Sequence, residues 1–185
     1  MSSLLLERLE NCPVVAAVRE ERFHDALNSP SEIIFLLGCN VMTVGDFIGA
    51  AHEKGKLVLV HIDLADGIGK DKAGIQYLTK CGVDGIISTR SHLIKCAKEL
   101  GLITVQRFFA LDSQGVDSIG EVLNSSQPTL IEIMPGTVSK VIKRFANGKV
   151  PVIAGGLIET KAEVMEALGQ GALAVSTGKK ELWYI

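Results

Sequence analysis

Residues 130–156 read LIEIMPGTVSKVIKRFANGKVPVIAGG, and this stretch decides the fold. It opens with a short apolar, β-branched run, Leu130–Met134, and closes with a second, Pro151–Ala154. Between them Val138, Val141, Ile142 and Phe145 fall at i, i+3, i+4 and i+7, one apolar stripe of a helix. Lys140, Lys143 and Arg144 fall on its wet side. A strand, a helix and a second strand in this order make a βαβ unit, and such units imply parallel strands.

The pattern extends in both directions. Further strand-like runs occupy Val14–Val18, Ile33–Leu37, Leu57–Ile62, Gly85–Ser88, Leu102–Phe108 and Leu173–Ser176. Amphipathic stretches separate them. Leu93, Ala97 and Leu100 form one stripe, ended by Gly101. Thr160 and Glu163 form a capping box before Val164, Ala167 and Leu168, with Gly169 as a stop. Eight strands predict a compact (β/α)8 TIM-type barrel, parallel throughout, covering residues 1–185 as one domain. The chain is shorter than the roughly 200 residues usual for that fold, and an open doubly wound sheet is the rival. The opening Met1–Leu9 reads as a short covering helix, with a frayed terminus as the alternative.

Composition excludes several classes. With 47% hydrophobic and 22% charged residues the chain is globular, not disordered. No apolar run reaches the roughly 18 residues that a spanning helix needs, so no membrane partner is expected. The start lacks a basic segment and a cleavage site, and the four cysteines show neither C-x-x-C nor zinc spacing. Reduced thiols in a cytoplasmic protein follow. A net charge of −2 gives no compositional support for nucleic-acid binding.

In a barrel, function collects at the C-terminal ends of the strands. Those ends carry Arg19, then His61 and Asp63, then Ser88–Arg90, Gln106 and Arg107, Glu132, Gly155–Gly156, and Ser176–Gly178. Period-two alternation puts Glu132 on the axis, since Ile131 and Ile133 suit the helix side. It puts His61 and Asp63 on one face. With Ile103 and Val105 on the helix side, Thr104 and Gln106 turn inward. A buried carboxylate needs a partner, and Arg19 or Arg107 could serve Glu132. A structural ion pair with no ligand is the plain alternative.

Gly155 and Gly156, and then Ser176, Thr177 and Gly178, occupy the loops where barrels commonly hold phosphate. Glycine allows backbone N–H groups to approach an anion closely, and Lys179–Leu182 could form the accompanying short helix. The plain alternative is a pair of tight βα turns. His61, Asp63 and Glu132 also suggest a metal site, but the set is incomplete, so neither metal nor cofactor is expected. No lysine lies within a predicted strand, which argues against Schiff-base chemistry. G-x-S-x-G, H-E-x-x-H and P-loop motifs are absent. No complete catalytic constellation emerges.

Ordered motifs then carry a resemblance. They are His61–Leu64, Gly85–Arg90, Gln106–Phe108, Leu111–Ser113, Ile131–Gly136, Ala154–Ile158 and the closing Leu182–Trp183. Together they resemble the glycerol-3-phosphate-responsive antiterminators, the glycerol uptake operon regulators, from about Pro13 to Trp183. The resemblance implies a regulator of transcription antitermination, not an enzyme, that binds glycerol 3-phosphate and leader mRNA. Two positions depart from it: Gly178, where Ser is more usual, and Cys39–Asn40, where an acidic residue is.

The combined expectation is a glycerol-3-phosphate sensor. Gly155, Gly156, Ser176, Thr177 and Gly178 hold the phosphate. Arg19, His61, Asp63, Gln106, Arg107 and Glu132 supply polar contacts. Lys140, Lys143 and Arg144 are the RNA-facing candidates, and a homo-oligomer is left open. The alternative is a barrel enzyme acting on a small phosphorylated metabolite.

Overall fold

A computed structural model describes the backbone of residues 2–185 and the side chains of residues 4–185. The strands are β1 (Val14–Arg19), β2 (Ile33–Gly38), β3 (Leu57–His61), β4 (Gly85–Ser88), β5 (Ile103–Phe109), β6 (Leu130–Met134), β7 (Val152–Gly155) and β8 (Ala174–Thr177). They close as β1-β2-β3-β4-β5-β6-β7-β8, and β1 pairs in parallel with β8. The closed parallel barrel is the (β/α)8 fold that the alternation predicts, and the open-sheet rival is excluded. Among the described residues no helix is long and apolar enough to cross a membrane.

The helices are α1 (Ser2–Asn11), α2 (Phe23–Leu27), α3 (Val44–Glu53), α4 (Lys72–Lys80), α5 (Ser91–Glu99), α6 (Ser113–Ser126), α7 (Ser139–Ala146) and α8 (Lys161–Gly169). The expected covering helix is α1: Leu5 and Leu9 join the inner barrel cluster and close its N-terminal end. The capping box before α8 forms. That helix ends at Gly169, as expected, and Gly171, at φ +97°, makes the turn beyond it. After β8 the short helix expected over Lys179–Leu182 is a 3-10 helix, Lys180–Tyr184.

Both faces of each strand are buried, which gives the protein two apolar layers. Val15, Ile33, Phe35, Leu59, Ile87, Leu130 and Ile153 fill the inside. Ile34, Val58, Val60, Ile131 and Ile133 pack outward against the helices. On β6 this matches the expected parity, so Leu130 and Glu132 face the axis. On β5 it reverses the expectation. Ile103 and Val105 are inside, and Thr104 and Gln106 face the helices. An apolar residue on a barrel strand can satisfy either layer, and here the polar ones find partners outside. Thr104 meets Thr129 Oγ1 at 3.2 Å. Gln106 donates to Ser91 Oγ at 3.0 Å and accepts from Ser126 Oγ at 2.5 Å. The inversion turns Arg107 into the barrel.

Lys56 sits at the opposite end of the barrel. Its Nζ donates to the Ser29 and Ser31 carbonyls, both at 2.6 Å, and so satisfies two buried acceptors at the foot of β2 and β3.

Candidate functional site

A cavity of about 410 Å³ opens at the C-terminal mouth, between the ends of β5, β6, β7 and β8. Its floor is an ion pair. Glu132 is 1% exposed; its Oε2 accepts from Arg107 Nε at 2.5 Å, and its Oε1 accepts from Ser176 Oγ at 2.5 Å. The expected partner choice for Glu132 thus resolves to Arg107. Both carboxylate oxygens are taken, so Glu132 positions Arg107 and Ser176.

Gly155 makes that contact possible. A Cβ there would lie 2.5 Å from Glu132 Oε1 and 2.6 Å from Ser176 Oγ. Arg107 is 7% exposed and lines the cavity. Only its Nε is bonded to protein among the described residues, which leaves both terminal amino groups able to donate.

Two loops form the wall. Gly156, at φ +71°, is followed by Leu157 at φ +58°, a non-glycine residue in the left-handed region. Such residues cluster where a site dictates the backbone. In the second loop Thr177 Oγ1 donates to the Ile158 carbonyl at 2.8 Å and accepts from Lys179 N at 3.1 Å, pinning the two loops together. Trp183 Nε1 donates to the Thr177 carbonyl at 2.9 Å. Arg22 Nη1 donates to the Gly178 carbonyl at 2.7 Å and lies over the Trp183 ring, 5.4 Å from its centroid. The closing Leu182–Trp183 therefore buttresses the β8 loop.

The other expected residues are placed as follows. Asp63 lies in a 3-10 turn, Ile62–Leu64, where period-two alternation ends. Its carboxylate accepts from Ser88 Oγ at 2.9 Å and from Thr89 N at 2.8 Å. Burial pushes its pKa up, but those bonds and the nearby His61 outweigh it and hold the carboxyl below the usual value. Asp63 thus braces the β4 loop. His61 points inward, 3% exposed, above the apolar layer.

Arg19 is exposed and lies over Gly38, beside a small cavity with Glu20 and Asn40, away from Glu132. The β1 end supplies Arg22 to the main cavity instead. Gln106, expected at the mouth, is held in the helix layer. Gln106→Ala is therefore expected to cost about 1–3 kcal/mol of stability and leave anion binding unchanged. Urea unfolding beside calorimetric titration separates the two effects.

Arg22, Lys179 and Glu159 line the mouth and did not emerge from strand ends, because each lies two to four residues beyond one. Lys179 Nζ and Glu159 Oε1, 3.3 Å apart, bridge the two wall loops. Among the described residues no three His, Cys, Asp or Glu side chains converge as metal ligands. Lys140, Lys143 and Arg144 are exposed on α7, and Arg144 pairs with Asp117 at 2.7 Å.

Sequence comparison matches residues 14–183 to the family described as glycerol-3-phosphate responsive antiterminator. The crystal structure of the glycerol uptake operon antiterminator regulatory protein from Listeria monocytogenes superposes with a TM-score of 0.88. It shares 33% identity and covers 94% of this chain and 95% of its own. A glycerol uptake operon antiterminator-related protein from Thermotoga maritima gives 0.83 at 31% identity, covering 92% and 96%. The uncharacterized protein YgcP of Escherichia coli strain K12 is 32% identical over 183 residues, 97% of this chain and 95% of that one.

Proposed function

Because this chain belongs to the glycerol-3-phosphate responsive antiterminator family, we propose that its barrel mouth binds glycerol 3-phosphate and that the bound form acts on leader mRNA. Arg107 carries the reading. A nearly buried guanidinium, held at Nε by Glu132, keeps its remaining donors toward a cavity walled by the β7 and β8 loops. Bidentate donors of this kind suit phosphate oxygens. The amides around Gly156, Thr177 and Gly178 complete the cradle, and the glycerol end reaches toward His61. Gly155 and Ser176 serve by seating Glu132.

The rival, a barrel enzyme acting on a phosphorylated metabolite, needs a free general base at the mouth. Both oxygens of Glu132 are occupied, and Asp63 is bonded to Ser88 and Thr89. Incubation with glycerol 3-phosphate and other phosphorylated metabolites tests this: the sensor reading expects each recovered unchanged, and turnover favours the enzyme.

For RNA, Lys140 and Lys143 on α7 are the first candidates, with Arg144 already shared with Asp117. Contacts of this kind position RNA without reading its sequence, and they weaken steeply with salt. Changing all three residues to Glu is expected to abolish a leader-RNA mobility shift while glycerol 3-phosphate still binds. An unchanged shift rejects this surface. No shift by the unmodified protein at low salt with ligand present rejects the regulatory reading.

A further inference from the structure

His61 is the buried titratable group at the mouth whose chemistry the proposed function leaves unexplained. It ends β3 on the inner face, and its Nδ1 is, among the described residues, the buried side-chain polar atom without a hydrogen-bond partner. Nδ1 faces Asp63 Oδ2 at 4.0 Å, beyond hydrogen-bond range but within reach of a small ring rotation. A neutral ring protonated on Nε2 sets two acceptors against each other there.

The charged groups around the ring are Arg107 from β5, Glu132 from β6 and Asp63 from its own loop. From the β4 loop Arg90 reaches Asp63 at 3.5 Å. Burial first, and then Arg107, hold the imidazole pKa down to about 4, so the ring is neutral near pH 7.

Arg107 faces Glu132 at 2.5 Å and Lys179 faces Glu159 at 3.3 Å, while Arg22 shares Asp25 with Lys180, at 3.6 and 2.6 Å. A doubly charged phosphate placed on Arg107 meets a guanidinium whose charge Glu132 already offsets, so negative charge is in excess at that point. An opposite charge nearby favours the protonated ring, and His61 shares Arg107 as a neighbour.

Resting on the reading of this mouth as a phosphate site, we propose that binding a doubly charged anion draws one proton from solvent onto His61 Nδ1, which then donates to Asp63 Oδ2. One N–H bond forms as an O–H bond of hydronium breaks, leaving water, and the ring and its ligand end one charge closer to neutrality. A carboxylate or phosphodiester, with a single charge, draws the proton less. His61 is thus a specificity-determining residue that favours phosphomonoesters. By linkage, affinity rises as pH falls.

Inorganic sulfate is the cleanest probe, since it stays doubly charged over the working pH range and carries no titrating proton. The chain has four histidines, and ¹⁵N ring shifts report each one, with His61 assigned from a His61→Gln variant. Saturating sulfate is expected to raise the His61 midpoint by about two units or more and to leave the other three in place. Sulfate affinity is expected to rise several-fold from pH 7 to 5 in the unmodified protein, and this rise should be absent in His61→Gln. If sulfate shifts the Gly156 and Thr177 amides while the His61 midpoint stays fixed, the proton linkage is wrong and the anion site stands. If neither sulfate nor glycerol 3-phosphate shifts those amides, the anion site and the linkage fall together. The ring titration uses the unmodified protein, so it decides even if the variant folds poorly.

Discussion

Replacing Arg107 with methionine is expected to destabilise the protein by about 3–5 kcal/mol and to abolish phosphate binding. The ion pair lies at the floor of the cavity, with Glu132 1% exposed. Without the guanidinium the carboxylate keeps only Ser176, and a buried charge with one neutral donor is costly. The double variant Arg107→Met with Glu132→Leu removes both charges. Replacing a whole buried pair with apolar groups is often close to neutral, so most of the stability should return. Binding should not, because the free donors leave with the arginine. Urea midpoints for the two singles and the double, set beside calorimetry, test this. If Arg107→Met is as stable as the parent, or still binds glycerol 3-phosphate, the central role given to the pair is wrong.

Gly156→Val is expected to weaken glycerol 3-phosphate binding by about 100-fold or more, close to 3 kcal/mol, while the barrel stays folded. Two causes act together. A left-handed φ of +71° is poorly tolerated by any residue with a Cβ, and least by a β-branched one. A Cβ there would also lie 2.7 Å from Met134 Cε. The methionine end is flexible and can move, so the loop rather than the core absorbs the change. The reoriented peptide then turns its amide away from the anion. Gly156→Ala should fall between the two, since alanine bears the φ penalty with less bulk. Unaltered affinity in the valine variant places the anion site elsewhere.

Much of this architecture was legible because period and burial point the same way. Leu130–Met134 could be read correctly from its alternation, and Glu132 lies on the axis as expected. The same rule failed on β5. Ile103 and Val105 suit either buried layer, and the tie is broken by Ser91, Ser126 and Thr129, which satisfy Thr104 and Gln106 from outside the barrel. That information is tertiary and cannot be read from strand spacing. It turns Gln106 away from the mouth, whereas Arg107, also expected there, faces the cavity.

Arg19 failed for a related reason. It ends β1 on the inner parity, but the register of β1 against β2 shifts between Val18 and Arg19, and the side chain settles over Gly38. Arg22, one turn later, takes the place at the mouth. The glycine loops after β7 and β8 were readable, yet their division of labour was not. Gly155 admits Glu132 and Ser176, whereas Gly156 shapes the wall.

The most direct test is a crystal structure of the protein with glycerol 3-phosphate. The account predicts the phosphate between the β7 and β8 loops, within hydrogen-bond distance of the Arg107 terminal amino groups and of the Gly156 and Thr177–Gly178 amides. A phosphate bound away from Arg107, with this cavity empty, would contradict it.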